Sequence, residues 1–325
     1  MTAARGGSCV AIDPADCAAL DSVIARICET YRTWGRDTPL TKMRRDWDAL
    51  LGRHLPNTQI DSVNMSGVPG QWLSAPGARA DKALLYFHGG GFQLGSLLSH
   101  RELMFNLSAA CGCRVMGVDY RLAPEHRFPA PLEDARAAYT WLLAQGFRAS
   151  DVALAGDSAG GGLALSLLLS LRDAALPMPA AAAVMSPWTD LSASGASFET
   201  RAASDPIHQR PMMLAMARNY LGTDAPGLAK NHRGLANDPR DPLASPLFAN
   251  LQGLPPLLIQ VGDREVILSD ALDFSEKARA AGVQVKLEVW DGMIHVFQQF
   301  ASELVAARLA IASMGNFLKT RLQLP

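Results

Sequence analysis

The sequence predicts a doubly wound α/β fold, a mostly parallel sheet with helices on both faces. Three observations carry this. First, short apolar runs recur at 83–87, 114–118, 152–155, 180–185 and 257–261. Strands without a polar face suit the interior of a parallel sheet, where helices cover both sides. Second, helical stretches at 101–110, 131–145, 159–174 and 269–281 alternate with those runs. That is the order of strand–helix–strand crossovers. Third, 49% of the 325 residues are hydrophobic and 19% charged, enough apolar material for a sizeable core and a composition that excludes disorder.

Taken in order, the first fifty-five residues read as helix. Asp13 and Pro14 suit an N-cap and first turn, and Leu20, Val23, Ile24 and Ile27 then recur at helical spacing. Thr38 and Pro39 open a second helix with Met43, Trp47, Leu50 and Leu51 on one face and Gly52 near its end. After Pro56 two short strands, 60–65 and 71–74, flank a turn at 67–70. The strand–helix alternation begins at Lys82. A last strand at 283–290 leads to a closing helix from about 296 to 322. Residues 188–250 break the alternation: one helical stretch, 211–221, lies among many Pro, Gly and Asp residues. A long irregular segment inserted after a strand tends to be functional.

Composition narrows the partners. With 30 Lys and Arg against 31 Asp and Glu, the net charge is −1, and no block of like charge exists to attract nucleic acid or an anionic membrane. The richest apolar run, 163–171, is too short to span a bilayer. The N-terminus does not read as a signal peptide, so a cytoplasmic location is expected. Five cysteines, Cys9, Cys17, Cys28, Cys111 and Cys113, with no C-x-x-C pair, read as reduced thiols rather than a disulfide framework. Cys111 and Cys113 have no second ligand pair nearby, so no metal is expected there.

The chemistry-bearing residues cluster at strand ends. Gly156-Asp157-Ser158-Ala159-Gly160 is G-x-S-x-G between an apolar strand and an uninterrupted helix, the context of a nucleophile elbow. His88-Gly89-Gly90-Gly91-Phe92 follows the strand at 83–87. Its glycines leave amides unshielded, as stabilisation of a tetrahedral oxyanion requires, and the helix start at Ala159 supplies another N–H. Neither a G-x-G-x-x-G placed after a first strand nor a G-x-x-x-x-G-K-[ST] is present, which disfavours nucleotides. A serine hydroxyl needs a base. Of seven histidines, His295 is best placed, in a loop after the last strand and before the last helix. His88 belongs to the glycine loop, where an anchoring role is expected. His54, His100, His126, His208 and His232 are expected to be surface or structural. The acid that orients the imidazole should lie between Ser158 and His295, at the end of the strand 257–261. Asp263 and Glu265 both meet that requirement.

These motifs, with Asp119-Tyr120-Arg121-Leu122-Ala123-Pro124-Glu125, resemble the hormone-sensitive lipase family of α/β-hydrolases, in its bacterial family IV esterase branch with Gly-Asp-Ser-Ala-Gly. The resemblance runs from about residue 60 to the C-terminus. It implies an eight-stranded, mostly parallel sheet flanked by helices. It also implies a catalytic domain at 56–325, with a helical cap drawn from 1–55 and 188–250. In that family the acid stands thirty residues before the histidine, which is Glu265, with Asp263 the alternative. Family members usually carry Asp there, so Glu is a departure. The resemblance further implies Gly90, Gly91 and Ala159 as oxyanion donors, with His88 and Gly89 as the supporting loop. Relatives often dimerise through the edge at 283–290, so a homodimer is expected.

The implied activity is serine carboxylesterase action on short-acyl esters of small molecules, by an acyl-enzyme and without a metal or cofactor. Lactone or amide hydrolysis could use the same triad. A non-catalytic small-molecule receptor on this fold would lack a triad residue, and here serine, acid and histidine are all available. Trp34, Trp47, Trp188, Met212 and Met213 could line the pocket, though ordinary packing between cap helices explains each singly.

Overall fold

The structure is a computed structural model. It describes residues 7–222 and 238–324, apart from 12, 14, 36, 54, 56 and 57. A nine-stranded sheet runs through the molecule in the order β1-β9-β8-β7-β6-β4-β5-β3-β2. Its strands are β1 (Ser8–Val10), β2 (Gln59–Met65), β3 (Val68–Ser74), β4 (Arg79–Phe87), β5 (Cys113–Val118), β6 (Val152–Asp157), β7 (Ala182–Met185), β8 (Leu257–Gly262) and β9 (Val285–Trp290). Only β3 pairs antiparallel, with β2 and β5; the other pairs are parallel. The expected eight strands become nine because β1 pairs with β9, Ser8 opposite Glu288 and Val10 opposite Trp290. The backbone edge expected at the last strand is therefore covered along its final three residues. Three residues with no hydrophobic alternation leave no strand signal in sequence; a free sheet edge recruits them.

Successive residues of a strand face opposite sides, and β4 uses both. Ala83, Leu85 and Phe87 enter one apolar core, and Leu84 and Tyr86 enter the other. The first core holds apolar side chains of α4 (Ala130–Ala144), α5 (Ser158–Asp173) and α8 (Leu268–Ala280). The second holds those of α1 (Asp16–Arg32), α3 (Arg101–Cys111) and α9 (Val305–Leu322). The two-sided apolar runs are thus explained by helices on both faces.

Two expected boundaries shift for local reasons. The turn between β2 and β3 is Ser66 and Gly67 alone, φ 57° and 101°. Both central residues have positive φ, as a tight two-residue hairpin loop demands. Asn64 Oδ1 accepts the Gly67 amide at 2.6 Å, so Val68 to Gly70 join the strand. The closing helix starts at Val305, not near 296, because Val296 is left-handed (φ 49°) and a short 3₁₀ turn, Phe297–Phe300, intervenes. The Asp16 carboxylate accepts the amides of Val305 (2.6 Å) and Ala306 (2.8 Å) and so caps α9 from α1.

α2 (Leu40–Leu51) follows α1, and the segment 188–250 contributes α6 (Ser197–Thr200) and α7 (Arg210–Leu221). Among the described residues no helix is long and apolar enough to cross a membrane.

Candidate active site

The parallel strands all deliver their C-terminal ends to one edge of the sheet, where open α/β sheets place their ligands. The loops after β4, β6, β7, β8 and β9 meet there. Ser158 heads α5 directly after β6, with φ 52°. This conformation is rare for a residue with a Cβ and is held only where the surroundings over-determine it. They do so here, because α5 packs on the end of β4 so closely that a Cβ on Gly160 would strike the carbonyl oxygens of Phe87 and His88. Ser158 is 7% exposed and opens into a pocket.

His295 lines the same pocket as Ser158, and Glu265 meets it there. His295 Nδ1 donates to Glu265 Oε2 at 2.7 Å, and Glu265 is fully buried. The other carboxylate oxygen accepts the Gly262 amide (2.6 Å) and Ser186 Oγ (2.7 Å). Ser186 Oγ in turn accepts the Val296 amide at 3.2 Å, tying the acid to the histidine loop. Burial pulls the His295 pKa down. The Glu265 carboxylate outweighs it, by charge and by hydrogen bond, with Asp205 and Asp157 adding to the upward pull. The net shift is above the usual histidine value.

Asp263, the alternative acid, has a different partner. Its Oδ1 accepts the Gly292 amide at 2.8 Å, and its pKa is raised by burial. It braces the turn after β9 and makes no hydrogen bond to His295 among the described residues. Glu265 reaches the imidazole from a position two residues further into the loop.

The glycine loop is braced from beneath. Gly90 (φ 113°) and Gly91 (φ 62°) turn beside the serine. Their amides and that of Ala159 make no hydrogen bond to another described residue. Asp157 Oδ1 accepts the Gly89 amide (3.0 Å) and the Tyr86 hydroxyl (2.5 Å), and its Oδ2 faces His100 Nε2 at 3.3 Å. Burial raises the Asp157 pKa, but the charge and hydrogen bond of His100, with the Tyr86 bond, bring it below the usual value. His88 donates from Nδ1 to the Gly89 carbonyl at 2.8 Å and stacks on Tyr120, ring centroids 4.4 Å apart. Burial holds its pKa down to about 3, so it is neutral.

The pocket walls come from three places. α1 and α2 give Ile27, Tyr31, Trp47, Leu50 and Leu51; the 188–250 segment gives Trp188, Ile207, His208, Met213 and Met216. The histidine loop and the turn after it add Val296 and Phe300. Of the suggested lining residues, Trp47, Trp188 and Met213 line the pocket. Trp34 instead stacks on Tyr31 (4.6 Å), and Met212 is not in the wall. His100 and His208, expected to be surface or structural, are buried in this wall; His54 and His232 lie outside the described residues. A lone histidine carries no local signal of burial. Ser186, which follows a predicted strand, had the same strand-end position as the residues singled out.

Residues 84–299 match the profile of a family with the alpha/beta hydrolase fold. An acetyl-hydrolase of Streptomyces hygroscopicus is 44% identical over 260 residues, covering 80% of this chain and 82% of the relative. An esterase of Acinetobacter venetianus is 37% identical, covering 81% and 82%. The crystal structure of an esterase from the bacterial hormone-sensitive lipase family superposes with a TM-score of 0.87 at 45% identity, over 94% of this chain and 98% of that one. EstE5, soaked with p-nitrophenyl butyrate, superposes at 0.86 and 41%, over 94% and 99%. Fold, strand-end loops and relatives agree: the chain belongs to the bacterial hormone-sensitive lipase family of α/β-hydrolases, and so to the carboxylic ester hydrolases.

Proposed function

We propose that the protein is a serine carboxylesterase that hydrolyses short-acyl esters of small molecules through an acyl-enzyme. The observation that carries this is the buried Glu265–His295 bond of 2.7 Å beside the pocket into which Ser158 opens. His295 takes the Ser158 proton as its Oγ attacks the ester carbonyl. The amides of Gly90, Gly91 and Ala159 receive the developing oxyanion, and the brace from Asp157 to Gly89 keeps their loop in place. His295 then protonates the departing alcohol. Water, activated by the same imidazole, releases the acid. Glu265 holds the tautomer with Nε2 towards the serine and stabilises the imidazolium.

α1, α2 and the 188–250 segment form the cap in this reading. Their bulky apolar side chains crowd the space above the serine, which favours short acyl chains. A relative named acetyl-hydrolase and a structure soaked with a butyrate ester point the same way. A homodimer is part of the proposal, with β1 rather than β9 as the outermost strand at the interface.

The test is pre-steady-state hydrolysis of p-nitrophenyl butyrate. Wild type should release a burst of nitrophenol equal to the enzyme concentration. Ser158→Ala should abolish the burst and lower kcat by at least about a thousandfold. A full burst in that variant would sink the assignment.

A further inference from the structure

Two buried histidine rings meet in the pocket wall. His208 comes from the segment between α6 and α7, and its ring stands edge-on to that of His295, centroids 4.5 Å apart at 81°. Its position is built rather than incidental. Asp205 Oδ1 accepts the amides of Ile207 (2.8 Å) and His208 (2.9 Å), while its Oδ2 accepts the amide of Val266 (2.8 Å). One carboxylate thus fastens the His208 backbone to the residue that follows Glu265.

The ring nitrogens of His208 are placed differently from those of His100, where Nδ1 meets Ser99 Oγ and Nε2 meets Asp157. Among the described residues none hydrogen-bonds to the His208 ring, which lines the pocket. Burial, with His295 beside it, holds its pKa down to about 3, so the imidazole is neutral and offers one donor and one acceptor. Most of the surrounding wall is apolar. An occupant that displaces water from those nitrogens must supply their partner or bear the cost of leaving them unpaired.

The position also says which half of an ester would supply it. His295 must reach the leaving oxygen to protonate it, so a side chain packed on its ring borders the alcohol portion. Resting on the triad proposed above, we propose that His208 is a specificity-determining residue that hydrogen-bonds a hydroxyl on the alcohol half of the ester. The favoured substrates are then monoesters of vicinal diols and polyols rather than simple alkyl esters.

The test compares 2-hydroxyethyl butyrate with propyl butyrate, which differ by hydroxyl against methyl at the end of the alcohol. Wild type should show kcat/KM about tenfold higher for the hydroxyethyl ester, the size of one hydrogen bond made in a desolvated site. His208→Leu should bring the ratio to about one, and His208→Asn, which keeps a donor and an acceptor, should retain part of the preference. Thermal unfolding identifies any variant that has lost its fold, and the wild-type ratio then still decides. A wild-type ratio near one, or an unchanged ratio in folded His208→Leu, overturns the role of His208 while leaving the esterase reading intact. No turnover of either ester by wild type overturns both.

Discussion

At the scale of single residues, the decisive contact is one carboxylate oxygen on one imidazole nitrogen. Glu265 and Asp263 lie two residues apart, yet one holds His295 and the other a turn amide. Glu265→Gln keeps the shape but removes the charge that favours imidazolium, so kcat should fall by roughly 10³–10⁴. Asp263→Asn should leave kcat in the same order of magnitude and mainly loosen the turn at Gly292. The same contact sets the pH profile. In the proposed mechanism only neutral His295 accepts the serine proton, and its pKa is displaced upward by Glu265 against burial. Activity should therefore fall as pH drops through a midpoint above the ordinary histidine value of about 6.5. In Glu265→Gln burial remains and the opposing charge is gone, so the residual activity should have its acid limb at lower pH. Stopped kinetics across pH 5–9 measure both; a wild-type midpoint well below the ordinary value would contradict the geometry.

At the scale of elements, helices are placed by contacts made far away in sequence. Asp16 sits in the first turn of α1, yet its carboxylate caps the start of α9. Asp16→Ala should cost about 1–2 kcal/mol, read as a lower urea midpoint with an unchanged slope. A variant with the wild-type midpoint would mean that water serves those amides equally well. α2 is latched in a similar way. Arg44 donates to the Gln93 carbonyl (2.8 Å) and the Ala123 carbonyl (3.1 Å) and pairs with Glu125 (2.7 Å). Asp48 accepts Ser96 Oγ at 2.6 Å. These bonds fix the helix that brings Trp47 and Leu50 into the pocket both to the stretch that follows the glycine loop and to the loop after β5.

At the scale of the whole molecule, the sheet joins the elements and also presents a hazard at its end. β1 covers Glu288 to Trp290 of β9 with three parallel pairs. Deleting residues 1–10 bares those backbone groups, and an unpaired strand edge recruits other chains. Light scattering after size exclusion should find larger assemblies than for wild type. An unchanged mass would show that three pairs give no protection.

The alternation of apolar runs and helices determined the layered α/β architecture, because strands apolar on both faces are stable only between two layers of helix. The elbow at Ser158, the glycine loop and the terminal histidine were also legible, since each is a local pattern attached to a strand end. Tertiary structure alone decided which of Asp263 and Glu265 bonds to His295, because that depends on side-chain reach across a turn and not on order along the chain. It alone buried His100 and His208 in the pocket wall, and it alone recruited residues 8–10 to the sheet. Those outcomes rest on which distant backbone groups need a partner, and a linear pattern carries no record of that.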